Sequence, residues 1–73
     1  MIEVRLFATL RQGRDKIVYL APEGLAQAAD VLQSLNIPAE EASILLVNGF
    51  HSKPETPVKD GDVLAIFPPV GGG

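Results

Sequence analysis

The first nine residues, MIEVRLFAT, alternate between apolar and polar side chains. A period of two predicts a β-strand that is buried on one side. The residues that share the apolar face are Ile2, Val4, Leu6 and Ala8. Phe7 is an apolar residue on the opposite, otherwise polar face. The segment LRQGRD supplies a glycine-containing turn and KIVYL a second strand, so an amino-terminal hairpin is predicted.

The hydrophobic period changes in the segment APEGLAQAADVLQSLNIP. Apolar side chains recur there at helical spacing, at Leu25, Ala28 or Ala29, Leu32 and Leu35. Asn36 is suited to end the helix, and Pro38 prevents its continuation. We therefore predict one helix of about three turns.

The second half of the chain contains further strand patterns. In SILLVNGFHS an apolar run leads to Asn48-Gly49, a dipeptide typical of two-residue hairpin turns. The segment KPETPVKDGD holds two prolines and an Asp60-Gly61 turn, which predicts a connection. In DVLAIF apolar residues occupy both faces, which predicts a central strand covered on both sides. Pro68-Pro69 end this strand because neither residue can donate a ladder hydrogen bond.

The order of these elements is a hairpin, a helix, short strands and a last strand. A helix that follows a hairpin packs across one face of the sheet, and the last strand pairs most economically in parallel with the first. The predicted fold is an α+β β-grasp (ubiquitin-like) roll, a mixed sheet with one main helix packed across one face. We expect residues 1–73 to form a single domain, with residues 68–73 as an extended, flexible carboxyl-terminal tail.

The composition excludes several classes of function. Cysteine is absent, which excludes disulfides, thiolate metal sites and cysteine nucleophiles, and a single histidine, His51, cannot form a metal cluster alone. A net charge of −3 argues against binding to nucleic acid. No apolar run approaches the roughly 18 residues of a membrane span, and no signal-peptide pattern is present. We expect a cytoplasmic protein that binds neither nucleic acid nor a membrane.

The ending IFPPVGGG is the strongest candidate for a functional segment in this sequence. Pro68 and Pro69 favour an extended start that has little conformational entropy left to lose. The glycines at 71–73 lack Cβ atoms, so their backbone can approach walls that a side chain would strike. Such a tail suits the threading of a carboxylate into the active site of another protein. A frayed terminus and a remnant of cloning are the alternatives.

Phe7 points to a partner surface beside this tail. The first and last strands are expected to be neighbours, and an apolar patch there is costly unless another protein covers it. The simpler alternative is that a small domain leaves one phenylalanine half exposed or buries it under a loop.

The segment FPPVGGG, after a DGD turn and an apolar strand, resembles the ending of the MoaD family, the small sulfur-carrier subunits of molybdopterin synthase. The opening MIEVRLFATLR, with its Phe7-Ala8 pair, and the segments VNG and VKDGDVLAIFPPVGGG are similar to the same family. Gly72-Gly73 matches the family ending fully, whereas Gly71 stands where an alanine or another small residue is common. The chain is also somewhat short, with an abbreviated link around residues 36–43.

This resemblance implies a sulfur carrier that is not catalytic alone. A MoeB-like adenylating enzyme would use ATP to adenylate the carboxylate of Gly73, and sulfur would then replace the adenylate to give a thiocarboxylate. The MoaE-like large subunit would accept the tail and pass the sulfur to a pterin precursor of the molybdenum or tungsten cofactor. No metal and no bound cofactor are implied for the chain itself. The residues implied to thread or orient the tail are Pro68, Pro69, Val70, Gly71 and Gly72. Those implied to contact the partner are Phe7, Phe67 and His51.

Three alternatives remain open on the sequence. A ThiS-like carrier shares the fold and the Gly-Gly end and donates sulfur to thiazole formation for thiamine, but it usually lacks the Phe-Pro-Pro segment. A ubiquitin-like protein modifier would form isopeptide bonds through Gly73. A pure interaction domain would have an inert tail.

The charged residues have simpler interpretations. An acidic patch on the activating enzyme would suit Arg5, Arg11 and Arg14, although ordinary surface charge explains them as well. Asp60 and Asp62 resemble a divalent metal site, but the DGD turn accounts for both. We interpret Glu40 and Glu41 as the start of a helix or as part of a solvated face.

Overall fold

The computed structural model describes residues 1–69, which form a five-stranded mixed sheet and one α-helix. The sheet order is β2-β1-β5-β3-β4, with β5 parallel to β1 and antiparallel to β3. This topology confirms the predicted β-grasp fold. The elements are β1 (Ile2–Leu6), β2 (Ile17–Leu20), α1 (Ala28–Ser34), β3 (Ile44–Val47), β4 (Phe50–His51) and β5 (Val63–Phe67), with 3₁₀ turns at Ala8–Arg11 and Ala39–Glu41.

The core lies between α1 and one face of the sheet. Side chains from β1, β5 and the helix form one buried cluster, which includes Ile2, Val4, Leu6, Val31, Leu32, Leu64 and Ile66. On β5 the alternate residues Val63, Ala65 and Phe67 are only half-buried. The central position of β5 is therefore confirmed, but the prediction that it is covered on both sides is wrong, because the side chains on its second face remain partly exposed.

The alternation predicted that Ala8 lies on the buried face of β1, and this prediction is wrong. The strand ends at Leu6, and Ala8 is exposed with a φ of 53°, a left-handed conformation that is uncommon for a residue other than glycine. Leu10 fills the core position instead and is 2% exposed. Arg11 stabilises this turn because its Nε donates a hydrogen bond to the carbonyl oxygen of Leu6 at 2.8 Å.

Helix α1 has seven residues, about two turns, and is shorter than predicted. Leu25 lies before the helix and packs against the core from the preceding loop. The backbone N–H of Ala28 donates to the carbonyl oxygen of Thr56 at 2.9 Å, and that of Ala29 to the carbonyl oxygen of Pro54 at 2.7 Å. This connection, which is distant in sequence, and the capping box of Asp30 at the helix terminus together fix where the helix begins.

The end of α1 agrees with the predicted stop at Asn36, which has a φ of 57°. The guanidinium group of Arg14 donates to the carbonyl oxygens of Leu35 and Asn36, each at 3.2 Å, and to that of Leu10 at 3.3 Å. A cation at the carboxyl end of a helix satisfies carbonyl groups that have no partner within the helix. Arg14 thus joins the first loop to the end of α1.

The Asn48-Gly49 turn joins β3 and β4 as predicted, with φ values of 52° and 86°. Asp62 ties this turn to the start of β5. Its Oδ1 accepts a hydrogen bond from Nδ2 of Asn48 and its Oδ2 accepts one from the backbone N–H of Lys59, both at 2.9 Å. The hydrogen bond from Asn48 is the main cause that lowers the pKa of the Asp62 carboxyl, with contributions from Lys59, whereas burial opposes it.

Replacing Asp62 with asparagine is expected to reduce the free energy of unfolding by about 1–3 kcal/mol. Both carboxylate oxygens accept hydrogen bonds at a residue only 5% exposed, so an amide group would place a donor against a donor. Because the folded pKa is lowered, the contribution of Asp62 is complete above its unfolded pKa and is lost as the pH falls through the folded pKa. Urea unfolding between pH 7 and pH 2 measures this, and an equal pH dependence in both proteins would contradict it.

Candidate functional site

Phe7 and Phe67 form a stacked pair on the side of the sheet opposite the helix. Their ring centroids are 4.2 Å apart and their planes differ by 10°. The parallel pairing of β1 with β5 explains this contact, because Leu6 lies opposite Ile66 and the next residue of each strand falls side by side. The backbone N–H of Phe7 also donates to the carbonyl oxygen of Ile66 at 3.2 Å. Both side chains remain half-buried.

Arg11 lies over the Phe7 ring of this pair. Its guanidinium carbon lies 5.4 Å from the centroid of the Phe7 ring, within the range of a cation–π contact. The left-handed turn at Ala8 brings Arg11 back over the strand that precedes it. The stack is therefore held by the sheet beneath it and by a cation over the Phe7 ring.

The stack belongs to a wider apolar surface, because directly paired residues on adjacent strands share a face of the sheet. Ile44 lies opposite Phe67, and Leu46 lies opposite both Ala65 and His51. The predicted contact residue His51 is thus exposed on the same face, beyond β3 from the stack. We define the open face as Glu3, Arg5, Phe7, Ile17, Tyr19, Ile44, Leu46, His51, Val63, Ala65 and Phe67. Glu3 and Arg5 form an ion pair within this mostly apolar set.

Several residues of the open face were not identified from the sequence. Ile17, Tyr19 and Ile44 are 38%, 60% and 39% exposed. In KIVYL both alternating sets are apolar, so the pattern does not indicate which set faces the core. The burial pattern shows that Val18 and Leu20 are the more buried set.

The stack lies at the point where the chain leaves the sheet. Phe67 is the last residue of β5, and it is followed by a half-buried Pro68 and an exposed Pro69. The strand therefore ends where the two prolines predict. The roles predicted for Val70 and for the three glycines at 71–73 concern residues outside the described part of the chain.

Within residues 1–69, no cluster of three or more histidine or carboxylate side chains could hold a metal ion. The hydrogen bonds of Asp62 are those of a turn, in agreement with the structural interpretation of the DGD segment. The same part of the chain contains no helix of the length and hydrophobicity that a membrane span needs. The described residues present a mostly apolar surface beside the end of β5.

Comparison with known proteins shows the family to which the chain belongs. Residues 4–73 match the ThiS family. The chain is 32% identical to small archaeal modifier protein 1 (SAMP1) from Haloferax volcanii, with a TM-score of 0.74 over 99% of this chain and 98% of that one. No curated protein sequence matches significantly.

The chain is also similar to two solved structures of proteins that carry other names. A protein from Pyrococcus furiosus, assigned as molybdopterin converting factor subunit 1, is 30% identical, with a TM-score of 0.67 over 94% of this chain and 97% of that one. A chain of the BexX/CysO complex from Amycolatopsis orientalis is 28% identical, with a TM-score of 0.65 and complete coverage of both chains. Since the family match extends over nearly the whole sequence, this chain belongs to the ThiS family of ubiquitin-like sulfur carriers, which includes MoaD-like proteins.

Proposed function

We propose that this chain is the small, sulfur-carrying subunit of a molybdopterin synthase. The observation that carries the proposal is the Phe7–Phe67 stack, because Phe67 is the first residue of the FPPVGGG segment. An apolar contact at this place can hold a partner while the tail enters that partner's active site. The similarity to molybdopterin converting factor subunit 1 of P. furiosus supports the same assignment.

In this proposal the chemistry takes place on the carboxylate of Gly73. A carboxylate is a poor acyl donor, so a MoeB-like enzyme first joins it to the AMP of ATP and releases pyrophosphate. A sulfur donor then displaces AMP and leaves a thiocarboxylate. The residues that thread or orient the tail are Pro68, Pro69, Val70, Gly71 and Gly72. The partner enzymes supply acid–base catalysis, and the carrier supplies reach and docking, which suits a cytoplasmic protein that serves two partners.

Reconstitution with the large subunit tests the proposal. The thiocarboxylated chain is mixed with the MoaE-like large subunit and the pterin precursor, and the sulfur-containing product is measured by mass spectrometry. We expect product to form while the chain returns to the carboxylate mass. The matched control is the chain that has not been thiocarboxylated. If the loaded chain gives no product here but supports thiazole formation with a thiazole synthase, the ThiS-like alternative replaces the proposal.

A second candidate function is protein modification. It is favoured by the similarity to SAMP1, which is named as a modifier, together with the Gly-Gly ending. This function predicts isopeptide bonds between Gly73 and lysines of other proteins. Tryptic proteomics of cells that produce the protein would reveal lysines bearing DGDVLAIFPPVGGG, the peptide that follows Lys59 in this chain. Their dependence on Gly73 would distinguish conjugation from sulfur transfer.

A further inference from the structure

The basic residues are concentrated in the first quarter of the chain. Residues 1–20 hold four of the six Lys and Arg side chains but only two of the nine Asp and Glu side chains. The four are Arg5, Arg11, Arg14 and Lys16. A protein with a net charge of −3 therefore carries a local excess of positive charge on its amino-terminal hairpin.

The structure separates Arg14 from the other three. Its guanidinium group is occupied by three backbone carbonyl oxygens at the end of α1 and in the first loop. It faces a different concavity, which Gly13 and Ser34 also line. Arg14 thus stabilises the fold and is not available to the tail end of the sheet.

Arg5, Arg11 and Lys16 line one groove of about 240 Å³ together with Leu6, Phe7 and Ile17. The sequence does not place Lys16 there, but the hairpin does, because the backbone N–H of Leu6 donates to the carbonyl oxygen of Lys16 at 2.8 Å. Arg5 reaches the groove from the open face and also pairs with Glu3 at 2.5 Å. We define Arg5, Arg11 and Lys16 as the basic collar.

The basic collar lies on one side of the point at which the tail begins. Phe7 is both a wall of the groove and one ring of the stack with Phe67, after which the chain leaves the sheet. Lys16 is exposed, and within residues 1–69 it makes no ion pair. Positive charge beside an apolar contact is complementary to an apolar pocket with a carboxylate rim.

We propose that the basic collar docks on an acidic surface of the adenylating enzyme, at the entrance that admits the tail. This inference rests on the proposed function. Activation brings a chain of net charge −3 and its carboxylate to a site that holds the negatively charged ATP. Long-range repulsion opposes this encounter, and a local attraction at the base of the tail offsets it and fixes the orientation.

Charge reversal at Lys16 tests the inference. Adenylation of wild type, Lys16→Glu and Lys53→Glu is followed by pyrophosphate release with the adenylating enzyme. Lys53 is the matched control because it is exposed and lies in the connection after β4, away from the groove. For Lys16→Glu we expect kcat/KM to fall about tenfold at low salt, through KM and not kcat. The deficit should shrink as the ionic strength rises toward about 1 M, where the Debye length is about 3 Å.

The outcomes separate this inference from the function on which it rests. If wild type is adenylated and Lys16→Glu behaves as Lys53→Glu does at every salt concentration, the inference is overturned and the proposed function stands. If wild type is not adenylated at all, both are overturned. Arg5→Gln gives an independent variant, should Lys16→Glu lower the thermal unfolding midpoint. It is expected to reduce kcat/KM in the same salt-dependent way.

Discussion

Deletion of Gly73 is expected to abolish thiocarboxylate formation. The shortened chain still ends in a carboxylate, that of Gly72, so the loss is one of reach and not of functional group. One residue of extended chain spans about 3.3–3.6 Å. A displacement of about 1 Å between reacting groups can lower the rate of an enzymatic reaction about 100-fold. A tail that is one residue shorter therefore cannot place its carboxylate at the site of adenylation. Intact mass after incubation with the adenylating enzyme, ATP and a sulfur donor measures the result.

Gly73→Ala is the matched control for this deletion. It keeps the length of the tail and adds only a Cβ atom, so a reduced but measurable mass gain is expected if the channel is narrow. Among the described residues the buried core does not extend beyond Ile66, and both variants should therefore unfold at the temperature of the wild type. Wild-type loading of the deleted chain would show that the partner does not depend on tail length, and it would remove the assigned role of Gly73.

The fold was predictable wherever a local pattern had only one structural solution. Strict alternation gave β1, and Asn48-Gly49 gave the second hairpin, because a two-residue turn with both φ values positive suits this dipeptide. The predicted pairing of the first and last strands also placed Phe7 beside Phe67. These features depend on short-range geometry and on one topological choice.

The incorrect predictions arose where a tertiary contact decided between local options. The alternating pattern extended β1 to Ala8, but the strand ends at Leu6 because the turn that follows buries Leu10. The hydrogen bonds from α1 to the connection at 54–56, together with a local capping box at Asp30, set a later start for the helix than predicted. Arg14 and Lys16 look equivalent in sequence, yet one caps the helix and the other lies in the groove at the base of the tail. The tail glycines lie outside the described residues, so their roles stay predictions.

Replacement of both phenylalanines of the stack by alanine is expected to weaken binding to the large subunit by about 30-fold or more. Aromatic side chains at the centre of an interface typically account for about 2 kcal/mol or more of binding free energy. The fold should persist, because both rings are only half-buried and the core cluster does not include them. An aromatic pair contributes about 0.5–1.5 kcal/mol beyond the area it buries, so a small loss of stability accompanies the change. Titration calorimetry of Phe7→Ala/Phe67→Ala against the large subunit measures the affinity.

Phe50→Ala is the control for this double variant. Phe50 is 75% exposed on the edge strand β4 and pairs with Val47, so it does not belong to the open face. Loss of an exposed aromatic ring there should leave the affinity within about twofold of wild type, since energetically important contacts cluster at the centre of an interface. If the double variant binds as wild type does while Phe50→Ala binds weakly, the partner covers the β4 edge. The stack would then be only a structural contact of the β1–β5 pair, and the partner would bind at β4 and not at the stack.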